Sequence, residues 1–217
     1  MEEKILIGFL FDLDGVLIDS EKEYSRLWSK VNEEFPTGID SFEEKIKGST
    51  LDKILMDYYP DFSIQEKVVE RLYQMEATMK YEYKEGADKL LEELKYRHQP
   101  MALVTSSNEN KMYHLDKELP GLRKMFDVVI TADAVTHSKP HPEGYQLAAK
   151  SLGCVPSKCV VFEDSLQGVK AGNSAGAYVV GISGTLPGEK LRPFSDMVID
   201  SLIDFDLDDI IDILKGR

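Results

Sequence analysis

Ile5-Leu6-Ile7-Gly8-Phe9-Leu10-Phe11 runs straight into Asp12-Leu13-Asp14-Gly15. The apolar run is short, rich in β-formers and followed by acids, the pattern of a buried strand. Gly15 permits a turn directly after it. The run is too short to span a bilayer and lacks the layout of a signal peptide.

Outward from this strand the texture changes. Residues 20–83 are rich in Glu and Lys, with apolar residues three and four apart. Tyr24, Leu27, Trp28 and Val31 share one helical face; Val68, Val69, Leu72, Tyr73, Met75 and Met79 share another. Pro36-Thr37-Gly38, Gly48-Ser49-Thr50 and Tyr59-Pro60-Asp61 read as breaks. The segment is expected to form a bundle of about four helices.

After Gly86 the pattern alternates. Helices are expected over 87–96, 110–119, 142–152, 166–175 and 207–214, and strands over 101–105, 128–131, 159–162, 178–182 and 197–199. Such alternation predicts an α/β fold: a Rossmann-like parallel sheet with helices on both faces. The helical segment is then an inserted small α-helical domain. The expected division is a core of 1–18 and 85–217 and an insert of 19–84, hinged near 17–20 and 83–86.

Hydrophobic residues at 42% and charged residues at 30% place the chain among globular proteins. A formal charge of -13 argues against a nucleic-acid partner and leaves any anionic substrate to be attracted by local cations. Cys154 and Cys159 are too few for a disulfide framework and do not have zinc-knuckle spacing. They read as reduced structural thiols of a cytoplasmic protein.

In an open parallel sheet, ligands bind outside the carboxyl ends of the strands. Those ends carry Asp12 and Asp14, then Thr105-Ser106-Ser107-Asn108, then Glu163-Asp164. The loop Ser138-Lys139-Pro140-His141-Pro142 adds an ammonium group. Converging carboxylates repel one another unless a cation lies among them, and oxygen ligands of this kind suit Mg²⁺. A carboxylate can attack phosphorus, a lysine can neutralise phosphate oxygens, and a second carboxylate can move the proton. Read alone, Asp12 and Asp14 also suit a strand-end turn and helix cap. Ser107 reads as structural, Thr105 as both capping and binding, and Asn108 and Asn173 as weaker candidates for substrate contact. His137 and His141 read as solvent-facing rather than as ligands.

Phe9-Leu10-Phe11-Asp12-Leu13-Asp14-Gly15-Val16-Leu17-Ile18-Asp19-Ser20 resembles the first motif of the haloacid dehalogenase superfamily. Leu103-Val104-Thr105-Ser106 resembles its second, Ser138-Lys139-Pro140 its third and Val161-Phe162-Glu163-Asp164-Ser165 its fourth, in the family's order. The resemblance implies Asp12 as nucleophile and Mg²⁺ ligand, and Asp14 as acid/base, binding the metal through its backbone carbonyl. It implies phosphate binding by Thr105 and the Ser106 backbone, pairing of Lys139 with Asp12 and phosphate, and metal binding by Asp164 and by Glu163, directly or through water. The helical insert is similar to the family's mobile cap.

Among the family's branches, the chain looks most like the β-phosphoglucomutase-like subgroup, and Lys47 in the Lys47-Gly48 loop becomes a candidate substrate contact. Two departures disfavour mutase chemistry. Gly48-Ser49-Thr50-Leu51-Asp52-Lys53 has no arginine to grip a distal phosphate, and Tyr24 stands where the mutase carries a histidine. Asp14 disfavours a dehalogenase. The expected activity is Mg²⁺-dependent hydrolysis of a small phosphomonoester, such as a sugar phosphate, by a monomer. A β-phosphoglucomutase-type mutase is the alternative, and a non-catalytic binding module the third reading.

Overall fold

The computed structural model describes residues 6–46 and 51–216. Backbone proximity divides the chain into two units, Met1–Asp19 with Glu82–Arg217, and Ser20–Tyr81. The smaller is helical, with α1 (Glu21–Glu34), α2 (Phe42–Lys45), α3 (Leu51–Tyr58) and α4 (Phe62–Glu76). Asp61 caps α4 by accepting the Ser63 N–H. Leu27, Val31, Phe42, Ile54, Val68 and Leu72 are buried in its core, where Phe42 meets Trp28 edge-on. Tyr73, expected on the buried face of α4, is exposed. Val68 and Leu72 are four apart and share the inner stripe; Tyr73 is one position off it.

The larger unit holds a six-stranded parallel sheet in the order β3-β2-β1-β4-β5-β6. Its strands are β1 (Gly8–Phe11), β2 (Met101–Val104), β3 (Val128–Ile130), β4 (Cys159–Glu163), β5 (Tyr178–Ile182) and β6 (Met197–Ile199). Parallel neighbours need long crossovers. The chain supplies them with helices that include α5 (Ala87–Tyr96), α6 (Glu109–Glu118), α7 (Glu143–Ser151), α8 (Leu166–Ala175) and α9 (Gly188–Leu191), and ends in α10 (Leu207–Gly216). Strand β1 is shorter than its apolar run, since Leu6 and Ile7 precede the pairing. The short helix α9 has no signature in the sequence pattern. No helix among the described residues is long and apolar enough to cross a membrane. Both cysteines are free and buried.

Sheet register positions the acids. Phe11 pairs with Leu103 on one side and Phe162 on the other. The Phe11 and Phe162 rings stack at 4.5 Å and 3°, and the Asp12 N–H donates to the Phe162 carbonyl at 3.0 Å. Asp12 therefore leaves β1 beside Glu163 at the end of β4. Strand order reverses at β1, so these acids flank the crevice where open α/β sheets take ligands.

Two glycines make room for them. Gly15 has φ +77°, and a Cβ there would lie 1.7 Å from Asp164 Oδ2. A Cβ on Gly168, in the first turn of α8, would lie 1.8 Å from the Glu163 carboxyl carbon. Glu163 is fully buried and cannot swing aside. Gly168→Ala is expected to cost about 1–3 kcal/mol through overpacking. Thermal unfolding should show a midpoint several degrees lower; an unchanged midpoint would mean that Glu163 moves freely.

Candidate active site

Lys139 lies at the centre. Its Nζ donates to Asp12 Oδ1 at 2.5 Å, to Glu163 Oε1 at 2.5 Å and to the Val104 carbonyl at 3.0 Å. An ammonium has three N–H donors, and all three are used. The Lys139 and Asp12 side chains are each 11% exposed and Glu163 is 0% exposed, so the cluster is largely cut off from water. Burial pulls the Lys139 ammonium down, but the Asp12 and Glu163 carboxylates outweigh it and hold the group above its usual range.

Glu163 is saturated. Besides Lys139 it accepts the Tyr145 hydroxyl at 2.7 Å on Oε1, and the Ser165 hydroxyl and N–H at 3.0 and 3.3 Å on Oε2. Burial, then the Glu163 charge, pushes the Tyr145 phenol well above its usual value, so it remains a donor. Asp164, also buried, accepts the Thr185 hydroxyl. Burial and the Glu163 charge push its carboxyl up to about 7, against the opposing Thr185 hydrogen bond. Burial also raises Asp12 well above the usual range, although Lys139 pulls it back.

Asp14 faces a different setting. Lys111 Nζ lies 2.7 Å from each of its carboxylate oxygens, and the Ser107 hydroxyl donates at 3.1 Å. Its side chain is 32% exposed, against 8% for Lys111. Four carboxylates thus face two ammonium groups. Oxygens of Asp12, Glu163 and Asp164 lie within 4.8 Å of one another. This oxygen-only donor set with surplus negative charge suits a hard divalent cation.

Thr105, Ser106, Ser138, Lys139 and Tyr145 line a small cavity of about 50 Å³. The Thr105 hydroxyl accepts the Ser107 N–H at 3.0 Å, so it closes a turn; Asn108 is the residue that caps α6, accepting the Lys111 N–H. The sheet therefore brings Asp12, Lys139, Glu163 and Asp164 together, with Thr105 and Ser106 on the cavity that Lys139 also lines. Lys47 lies outside the described residues.

A family model of haloacid dehalogenase-like hydrolases matches residues 8–176, which contain the three strand-end motifs and the Lys139 loop. The chain belongs to this family. Validoxylamine A 7'-phosphate phosphatase of Streptomyces hygroscopicus subsp. limoneus is 33% identical to this hydrolase over 191 residues, 84% of the chain and 88% of the relative. Hexitol phosphatase A of Escherichia coli K12 is 33% identical over 199 residues, 90% of the chain and 91% of the relative. The crystal structure of β-phosphoglucomutase from Clostridium difficile matches this hydrolase with a TM-score of 0.76 at 26% identity, covering 98% of each chain.

Sequence reasoning missed Lys111, Tyr145 and Thr185. Lys111 left a trace: it sits in the first turn of α6, where the helix dipole disfavours a cation, so a nearby anion was implied. Tyr145 looked like one more apolar position on α7, and Thr185 like part of a polar loop.

Removing Lys139 should leave two buried carboxylates uncompensated. Lys139→Met is expected to cost about 3–5 kcal/mol. Adding Glu163→Gln should recover part of that loss, because one of the repelling charges disappears. Chemical denaturation of both variants and of Glu163→Gln in EDTA tests the coupling; additive losses would mean that the Lys139–Glu163 pair carries no interaction energy.

Proposed function

We propose that this hydrolase is a Mg²⁺-dependent phosphatase that cleaves a small phosphomonoester, of the sugar-phosphate class, through an aspartyl phosphate on Asp12. The observation that carries this reading is the Lys139 ammonium held between Asp12 and Glu163, with Asp164 completing the carboxylate cluster. The phosphatase names of the two relatives support it.

Asp12 attacks phosphorus; the Asp12 O–P bond forms as the ester P–O bond breaks. Asp14, entering the step protonated, gives its proton to the leaving alkoxide. It then accepts a proton from water, which attacks the acyl phosphate and releases inorganic phosphate and the free Asp12 carboxylate. Lys139, Thr105 and the Ser106 backbone hold the phosphate oxygens during both steps. Lys111 keeps Asp14 oriented between them, since its ammonium bonds both carboxylate oxygens. Asp12, Asp164 and the Asp14 backbone carbonyl would hold the cation. When bound, it neutralises charge on the phosphate oxygens and offsets the repulsion among the acids. Because hydrogen bonds saturate Glu163, we assign it to holding Lys139 and acting through it, not to direct ligation.

The helical unit serves as the cap and, with Lys47, selects the substrate; the reaction takes place in the cytoplasm. Mutase chemistry lacks support from this chain's own residues. Tyr24, at the position of the mutase histidine, donates its hydroxyl to Glu76 at 2.9 Å, and residues 48–53 contain no arginine.

A phosphomonoester panel with Mg²⁺ should give phosphate release that EDTA abolishes. Asp12→Asn should lower turnover by roughly three orders of magnitude or more without loss of fold. No release from any ester, or a fully active Asp12→Asn variant, would overturn the assignment.

Cation affinity should also depend on pH. Asp164 with a carboxyl near 7 binds a proton in the metal-free fold that the ion must displace. Affinity is thus expected to rise from pH 5 to about 7 and then level. By the same linkage, Asp164 makes the metal-free protein less stable as pH rises between the ordinary carboxyl value and about 7. Calorimetric Mg²⁺ titrations across this range test the slope; flat affinity would remove Asp164 from the ion's ligands.

A further inference from the structure

A second cluster of ligand-bearing side chains lies outside the carboxylate site, on the loop that carries Lys139. His137 Nδ1 is 2.8 Å from Glu143 Oε2, and His141 Nδ1 is 3.8 Å from the same oxygen. The two imidazole rings pack with centroids 4.5 Å apart and planes 32° apart. One ligand atom from each of the three residues falls within 4.8 Å of the others. All three are open to solvent, with side-chain exposures of 62% for His137, 50% for His141 and 28% for Glu143.

The 2.8 Å contact is a hydrogen bond, and the same three residues also lie within the span of one metal ion's ligands. Ions that bind imidazole nitrogen and carboxylate oxygen at about 2.0–2.1 Å have donor–donor edges of about 2.9 Å in octahedral and about 3.4 Å in tetrahedral geometry. The 2.8 and 3.8 Å separations from Glu143 Oε2 to the two Nδ1 atoms bracket those edges. The ligands are also prepared chemically. Hydrogen bonds from the Thr136 N–H and from His137 hold the Glu143 carboxyl down at about 2, so it is anionic at any physiological pH. His141 Nδ1 accepts the Glu143 N–H at 3.2 Å, a contact that an ion bound through this nitrogen would displace. On His137 the ion would take the place of the proton shared with Glu143.

We propose that His137, His141 and Glu143 form a second cation site for a nitrogen-preferring divalent ion such as Zn²⁺, Ni²⁺, Co²⁺ or Cu²⁺. Its two imidazoles separate it from the oxygen-only set proposed above, Asp12, Asp164 and the Asp14 carbonyl, which favours Mg²⁺. The site has a direct structural consequence. His137 and His141 stand two residues to either side of Lys139, so an ion bound by both would tie together the two limbs of the loop that aims the Lys139 ammonium at Asp12. Both histidines and Lys139 line the same small cavity. The solvent-facing role expected of the histidines from sequence is correct as to exposure but omits their shared partner, Glu143.

The experiment is a Cu²⁺ titration of the full chain in excess Mg²⁺, followed by electron paramagnetic resonance, with Zn²⁺ calorimetry in parallel. Binding at this site should give nitrogen hyperfine coupling from two imidazoles on a single ion per chain. His137→Gln/His141→Gln, with its fold checked by circular dichroism, should lose that coupling and weaken Zn²⁺ binding by about tenfold or more. Glu143→Gln should weaken it while keeping the nitrogen signal. A copper spectrum with no nitrogen coupling or with that of a single imidazole, or unchanged Zn²⁺ affinity in the double variant, would overturn the proposal and leave Glu143 as a loop-bracing hydrogen-bond acceptor. The outcome is independent of whether the chain hydrolyses phosphoesters, because neither readout involves turnover.

Discussion

A buried ammonium held by two buried carboxylates governs the architecture around the site. Charges in a water-poor interior are tolerated only when paired and hydrogen-bonded. Lys139 meets that condition by using all three donors on Asp12, Glu163 and the Val104 carbonyl. Each partner then imposes a demand of its own. Asp12 must leave β1 in register with the end of β4, which the Phe11–Phe162 pairing enforces. Glu163 needs the Tyr145 and Ser165 hydroxyls and a glycine at 168 to fit against α8. Val104 must end β2 one strand away. The central three strands are thus tied to one cation as well as to one another.

The two leading carboxylates of the first motif have been given unlike surroundings. Asp12 is buried, pressed upward by desolvation and drawn back by Lys139. Asp14 lies partly in solvent, with its own ammonium on Lys111 and a hydroxyl on Ser107. Neighbouring acids that divide labour in catalysis are assigned their separate roles by such differences of environment. Here the split is built by elements distant in the chain: the loop before α7 and the end of β4 serve Asp12, while the first turn of α6 serves Asp14. The remaining negative charge around Asp12, Glu163 and Asp164 is what suits the cluster to an oxygen-ligated divalent cation.

The loop between β3 and α7 concentrates function. It carries Lys139 into the buried cluster, lines the cavity shared with Thr105 and Ser106, and places His137 and His141 at its surface. Hard and borderline donor sets therefore lie on the two sides of one short segment. Ligand type and not overall affinity is what would separate hard from borderline divalent ions between these two sets.

The sequence by itself determined the strands, the main helices and the motif acids. Hydrophobic periodicity reports which faces are buried, and that is a local property: β5, β6, α5 and α8 lie where the pattern placed them. Asp12, Lys139, Glu163 and Asp164 were legible because strand ends in a parallel sheet share one edge. Only the tertiary structure decided the pairings. Lys111 meets Asp14 across 97 positions of chain, and Tyr145 meets Glu163 across 18. Such contacts depend on sheet register and on the rotation of each helix about its axis. A period of 3.6 fixes which stripe faces inward, but not which residue on that stripe meets a given carboxylate.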